Sequence, residues 1–289
     1  MVIFALKTKE ILDYLRKSIT KLLNADPNSN DRQYHWRMKA VILAGGRGTR
    51  LAEETHIKPK PLVEASGQPL IWHIMQNFAR HGVTDFIVLA GYKGQYIREY
   101  FANFWLHQAD VTFDLSTPDR EIHEVRSLPW KVTVLDTGID TNTGGRIARL
   151  RNSLTGDFLL TYGDGVSDVS IRELITAHKN SENIATLTAV QPPARFGALN
   201  LYGDQVVNFQ EKPDGEGAWV NGGFLVLSPE IFDYLSGDET SLEVDALPKI
   251  AEAGKLGVYK HSGFWQPVDT IRDLQRLEEA ISKGALPWV

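Results

Sequence analysis

Three groups of residues in this chain have the types and spacing to handle phosphate. The run Leu43-Ala44-Gly45-Gly46-Arg47-Gly48-Thr49-Arg50 carries three glycines and two arginines. Glycine lets backbone N–H groups approach an anion with no Cβ between, and guanidinium groups match phosphate oxygens in a two-pronged fork. Lys58-Pro59-Lys60-Pro61 follows, where ring-fixed φ angles suit a rigid lysine contact. Asp164, between Gly163 and Gly165, and Asp269, just before Thr270-Ile271, are candidate ligands of a hard divalent cation. Each group also has a plainer explanation. The glycines and Asp164 would serve a tight turn, Asp269 a helix N-cap, and the lysines a solvated surface.

Other chemistries are excluded or disfavoured. A dinucleotide fingerprint needs a glycine where Leu51 stands, and the Gly-Lys-Ser/Thr of a P-loop is absent. The eight histidines form no His-x-His or His-Glu-x-x-His spacing, and His73 falls on an apolar helix as a core residue would. There are no cysteines, so disulfides, zinc–thiolate sites, iron–sulfur clusters and a thiol nucleophile are ruled out. A net charge of −5 argues against a nucleic-acid partner. The composition, 43% hydrophobic and 23% charged, is that of a soluble globular protein, and no apolar stretch is long enough to span a bilayer. A cytoplasmic protein without membrane insertion is the expectation. Trp72, Phe264 and Trp265 could stack on a sugar or base, although packing is the commoner role of aromatic residues.

A scaffold must bring these residues together, and the apolar periodicity describes one. Short β-rich runs at 40–43, 86–89, 132–135, 158–161 and 185–190 alternate with helical patterns at 70–78, 95–104, around 146–152, and at 171–179. His81-Gly82 stops the first helix. Runs at 206–210 and 224–227 are expected in a mixed region of the same sheet, with a closing helix at 271–282. This predicts an α/β fold with a Rossmann-like, mostly parallel mixed sheet flanked by helices. Ligands of such sheets bind beyond the carboxyl ends of the strands, where the glycine run falls. Residues 103–129 break the alternation, as a lid, a subunit-contact insertion or an extra hairpin. Residues 1–37 read as an appendage, with Ile11, Leu12, Leu15, Ile19, Leu22 and Leu23 at helical spacing and then a polar linker, ahead of one domain at 38–289.

The glycine run continued to Leu51, followed by Lys58-Pro59-Lys60-Pro61-Leu62-Val63, resembles the signature of the sugar-1-phosphate nucleotidyltransferases. The resemblance spans residues 38–289. It narrows to the branch using CTP and glucose 1-phosphate (the CDP-glucose synthases) through several further stretches. These are Ile71-Trp72-His73-Ile74-Met75, Gly91-Tyr92-Lys93-Gly94, Thr161-Tyr162-Gly163-Asp164-Gly165-Val166, Arg195-Phe196-Gly197-Ala198-Leu199, Phe209-Gln210-Glu211-Lys212-Pro213, Asn221-Gly222-Gly223-Phe224 and Gly263-Phe264-Trp265-Gln266-Pro267-Val268-Asp269-Thr270.

The resemblance implies cytidylyl transfer from CTP to α-D-glucose 1-phosphate with Mg²⁺, giving CDP-glucose and pyrophosphate for bacterial deoxysugar and lipopolysaccharide O-antigen synthesis. It implies catalytic roles for Lys60 on the nucleotide phosphates, Arg50 on the outgoing pyrophosphate, and Asp164. Leu43, Ala44, Gly45, Gly46, Arg47, Gly48, Thr49, Arg50, Lys60, Thr141, Arg146 and Gly163 would surround the nucleotide. Gly197, Glu211, Lys212, Asn221 and Gly222 would surround the sugar phosphate, and Asp164 and Asp269 would hold the metal. A homo-oligomer such as a hexamer is also implied, with residues 103–129 near a subunit contact. UTP, dTTP or another sugar phosphate would fit the same motifs. A non-catalytic nucleotide-sugar-binding regulatory subunit is the alternative of another class, and the joint presence of Arg50, Lys60, Asp164, Lys212 and Asp269 speaks against it.

Overall fold

Ala40–Ala44 is apolar at every position and wholly buried, as a strand covered on both faces must be. The computed structural model describes residues 38–48, 58–117, 119–125, 128–192, 198–202, 205–210 and 218–289. The expectations for residues 1–37 and for Thr49, Arg50, Gly197, Glu211 and Lys212 lie outside the described residues.

In chain order, β1 (Ala40–Ala44) is followed by a short hairpin of β2 (Glu64–Ala65) and β3 (Gln68–Pro69), the helix Leu70–Ala79 and β4 (Asp85–Ala90). After the helix Gly94–Ala102 come β5 (Ala109–Phe113), β6 (Arg120–Val125) and β7 (Lys131–Asp136). The short helix Thr143–Ala148 leads to β8 (Phe158–Tyr162) and β9 (Gly165–Ser167), and the helix Ile171–Lys179 to β10 (Ala185–Val190). Then follow β11 (Ala198–Tyr202), β12 (Gln205–Gln210) and β13 (Val220–Leu227). The helix Leu247–Glu252, β14 (Leu256–His261), β15 (Trp265–Pro267) and the helix Ile271–Ser282 close the chain.

Seven strands form the central sheet in the order β14-β10-β13-β8-β1-β4-β7. Neighbours run parallel except at β13, which is antiparallel to both β10 and β8. The expected mostly parallel mixed sheet is therefore present. Its two faces carry separate cores. Ala40, Ile42 and Ala44 face the side covered by the helices Leu70–Ala79, Ile171–Lys179 and Ile271–Ser282. Val41 and Leu43 face Ile147, Phe232 and Ile250 on the other side. That split is the period-two alternation of a strand. The first helix buries Leu70, Ile71, Ile74, Met75 and Phe78, and stops where Gly82 turns to φ 84°. No helix among the described residues is long and apolar enough to cross a membrane.

The structure departs from the sequence reading in several places. Residues 103–129 contain a 3-10 turn, Phe104–Gln108, and the two-stranded antiparallel pair β5–β6. Of the three options left open for that segment, the extra hairpin is the local structure. The helix expected to reach residue 104 ends at Ala102 because Asn103 leaves helical geometry. The helix expected around 146–152 is Thr143–Ala148, so Arg146 lies inside it. The run at 206–210 belongs to a separate β11–β12 hairpin, whereas β13 does join the main sheet. β14 went unpredicted: as an edge strand it alternates exposed and half-buried positions and lacks a continuous apolar run.

Candidate active site

The carboxyl ends of β1 and β8 lie side by side, since the strands pair in parallel from Ala40↔Leu159 to Leu43↔Tyr162. Beyond them opens a cavity of about 390 Å³. Leu43, Ala44, Gly45, Gly46 and Gly48 line one wall, Lys60 and Pro61 the second, and Thr141, Asn142, Thr143 and Arg146 the third. Tyr162, Gly163, Asp164 and Asp269 complete it. Sequence-predicted nucleotide and metal residues thus converge from five separate segments. Gly46 has open space where a Cβ would stand, leaving its backbone accessible to an anion.

Lys60 heads a 3-10 turn, Lys60–Leu62, entered through Pro59. Its side chain is only 10% exposed, and Nζ donates to Asp164 Oδ2 and Asp269 Oδ1, each at 2.7 Å. Burial alone would lower the ammonium's pKa, but Asp164 and then Asp269 outweigh it and hold the pKa above the ordinary lysine value. Lys60 is therefore a fixed positive charge at neutral pH and no general base. Gly163 allows this approach, because a Cβ there would press on the Pro61 ring at 2.8 Å.

A small ladder brings the two aspartates together. β15 pairs antiparallel with β9, Pro267 opposite Gly165, and the Val268 N–H donates to the Asp164 carbonyl at 2.9 Å. The N-cap role open to Asp269 falls instead to Thr270, which forms a capping box with Asp273. The buried Asp273 carboxylate also accepts the Asp269 N–H at 3.2 Å, fixing the backbone that aims Asp269 at Lys60. Two carboxylates with open positions for phosphate oxygens are the donor set Mg²⁺ ordinarily shares with a nucleotide. Among the described residues no cluster of three or more His, Cys, Asp or Glu side chains converges.

Arg146 lines the cavity but its guanidinium is buried in the wall. It donates to Thr137 Oγ1 at 2.6 Å, Gly138 O at 2.7 Å, Gly45 O at 3.1 Å and Ile139 O at 3.3 Å. It braces the glycine run against the loop after β7. Burial pushes its pKa below the usual arginine value, with Asp136 and Asp238 opposing. Arg47 points away from the cavity lining and pairs at 2.6 Å with Asp140, both largely exposed, an arrangement worth little energy.

Of the residues expected around the sugar phosphate, Asn221 and Gly222 follow Val220 at the start of β13. The Asn221 carboxamide oxygen accepts the Gly223 N–H at 2.9 Å, and the Gly222 carbonyl accepts from the Trp265 indole at 2.8 Å. Trp265 is thus a backbone brace here. His73 is buried and bonds the Ala65 carbonyl at 3.0 Å, in keeping with a core role. Sequence reasoning missed Tyr162, Asn142 and Thr143 as lining residues. Tyr162 adjoins Asp164 at a strand end, a signal that could have found it.

The family model described as nucleotidyl transferase matches residues 39–284. The glucose-1-phosphate cytidylyltransferase of Salmonella typhi is 52% identical to this chain, over 87% of the chain and 98% of that protein. The probable glucose-1-phosphate cytidylyltransferase of Bacillus subtilis (strain 168) is 42% identical over 87% and 99%. A UDP-glucose pyrophosphorylase solved with UDP-glucose has a TM-score of 0.61 at 16% identity, over 86% of this chain and 99% of that one. A putative glucose-1-phosphate thymidylyltransferase from Bacillus anthracis has a TM-score of 0.60 at 20% identity, over 84% and 94%. Those two structural likenesses bear on the fold alone. With a family match across nearly all of residues 38–289 and such identity to whole relatives, the chain belongs to the nucleotidyl transferase family, beside the glucose-1-phosphate cytidylyltransferases.

Proposed function

We propose that this protein transfers a cytidylyl group from CTP to α-D-glucose 1-phosphate, giving CDP-glucose and pyrophosphate. The carrying observation is the Lys60 ammonium held between Asp164 and Asp269 beside the glycine run. An oxygen of the sugar phosphate attacks the α-phosphorus of CTP. A new P–O bond forms as the bond to the bridging oxygen breaks, and pyrophosphate leaves with the electron pair. Two polyanions must meet, so the protein's task is positioning and charge neutralisation. The exposed backbone at Gly46 and the permanent charge of Lys60 suit the nucleotide phosphates. Mg²⁺, with Asp164 and Asp269 as its protein ligands, would supply further charge neutralisation. Arg50 is assigned to the departing pyrophosphate, Lys212 and Glu211 to glucose 1-phosphate, and Gly197, Asn221 and Gly222 to the walls of the sugar half. A homo-oligomer, and a product used in deoxysugar and O-antigen synthesis, belong to the same reading.

The test is pyrophosphate release across CTP, UTP and dTTP with glucose 1-phosphate, with Mg²⁺ and with chelator. CTP should be preferred, chelation should stop turnover, and Asp164→Asn or Asp269→Asn should cost about 100-fold or more. Equal rates with all three nucleotides would remove the cytidylyl assignment. Undiminished turnover by Asp164→Asn would overturn the carboxylate role.

A further inference from the structure

Glu243 carries no role in the chemistry above, yet its carboxylate is the junction of a polar network at the cavity. The residue lies on Leu242–Ala246, a π-helical turn capped by the Ser241 side chain. Such turns are rare and recur at functional sites. One carboxylate oxygen, Oε1, accepts the Tyr162 hydroxyl; the other, Oε2, accepts Thr143 Oγ1 at 2.6 Å and Ser241 Oγ at 2.9 Å. Thr143 also accepts the Leu242 N–H at 2.9 Å, so its hydroxyl orientation is fixed.

An ionised carboxylate only accepts, so the Tyr162 proton points at Glu243 and its oxygen keeps only acceptor capacity towards its other neighbours. Its ring lies against the turn that Asn221 opens, where the Asn221 carboxamide oxygen accepts the Gly223 N–H at 2.9 Å. The Tyr162 ring is locked as well: it packs where a Cβ on Gly223 would stand, at 2.8 Å. Contacts therefore run from the Asn221–Gly223 turn through the Tyr162 ring and Glu243 to Thr143.

We infer that Glu243 is a positioning residue that sets both halves of the site together, orienting Thr143 on the nucleotide side and, through the Tyr162 ring, the Asn221–Gly223 turn on the sugar-phosphate side. This rests on the assignment of those two halves under the proposed function. Glu243→Gln preserves shape but replaces one acceptor with a donor, so the Tyr162 or Thr143 hydroxyl must reverse.

The experiment measures kcat and KM for both substrates, with thermal unfolding, in wild type, Glu243→Gln, Tyr162→Phe, Thr143→Val and the Glu243→Gln/Tyr162→Phe double variant. The nucleotide is whichever the wild type prefers. Glu243→Gln should lower kcat/KM for nucleotide and sugar phosphate alike by about 10- to 100-fold with little change in Tm. The double variant should be no worse than its worse parent, because both break one chain. Loss confined to one substrate, wild-type kinetics, or additive losses would overturn the inference. Should Glu243→Gln fail to fold, Tyr162→Phe and Thr143→Val decide it, and wild-type KM values in both would overturn it. An active wild type with unaffected variants sinks this inference alone. A wild type that releases pyrophosphate from no nucleotide sinks the proposed function and the inference together.

Discussion

Gly45→Ala tests the Arg146 brace directly. Gly45 is not among the glycines with positive φ, so alanine meets no backbone penalty there. The obstacle is space: a Cβ would fall on the guanidinium carbon and nitrogens of Arg146. The guanidinium cannot retreat without giving up its bonds to Thr137, Gly138 and Gly45 itself. Overpacking of this kind costs about 1–3 kcal/mol, and each hydrogen bond to a charged group that breaks adds about 1.5–3 kcal/mol. With one of those bonds broken, Gly45→Ala should therefore destabilise by about 2.5–6 kcal/mol. In an Arg146→Ala background the clash is gone. The same substitution should then be neutral or stabilise by up to about 1 kcal/mol, because alanine restricts the unfolded chain. Urea unfolding of the four proteins of this cycle gives the coupling, provided the slopes agree. A cost of Gly45→Ala that is equal in both backgrounds would refute the brace. So would a cost below about 1 kcal/mol in the wild type.

Acid should weaken the protein through its buried histidines. Burial, then Arg80 and Arg172, lowers the His81 pKa from 6.5 to about 4, so the unfolded chain takes up a proton that the folded one refuses. That contribution is complete above pH 6.5 and is lost as pH falls towards 4; His73 and His178 act in the same direction. Melting curves across this window should be flatter for His81→Asn, and an unchanged acid slope would count against the assignment. Asp273→Ala removes the acceptor of the Asp269 and Thr270 N–H groups and should cost about 1–2 kcal/mol by urea unfolding. It should also lower kcat by more than about tenfold by freeing Asp269; intact kcat in a destabilised variant would show a cap and nothing more.

The sheet was legible because its central strands are buried on both faces and leave apolar runs, as at Ala40–Ala44 and Asp85–Ala90. β14 escaped for the opposite reason, since an edge strand leaves no such run, while the run at 206–210 was legible as a strand but not as part of a separate hairpin. The glycine run was readable as an anion site from residue type, whereas Lys60 and Asp164 stood out from other lysines and aspartates only through the family resemblance. Asp269 was ambiguous, since an aspartate before a helix looks like a cap until Thr270 is seen to take that place. Arg146 was named through the family resemblance, and its burial against backbone carbonyls depends on Gly45 and Gly91, distant glycines that leave room for it. Glu243 left no signal, because each partner outside its own turn comes from another part of the chain.

The β9–β15 ladder also sets when the protein becomes competent. All seven strands of the central sheet have been synthesised once β14 ends at His261, yet Asp269 still lies ahead. A chain emerging in order would complete its main sheet with Lys60 facing only Asp164. The second carboxylate arrives when β15 zips onto β9 and Thr270 starts the last helix. Truncation just before Trp265 would thus leave every strand of the central sheet but remove the second carboxylate and the helix Ile271–Ser282 that covers one face.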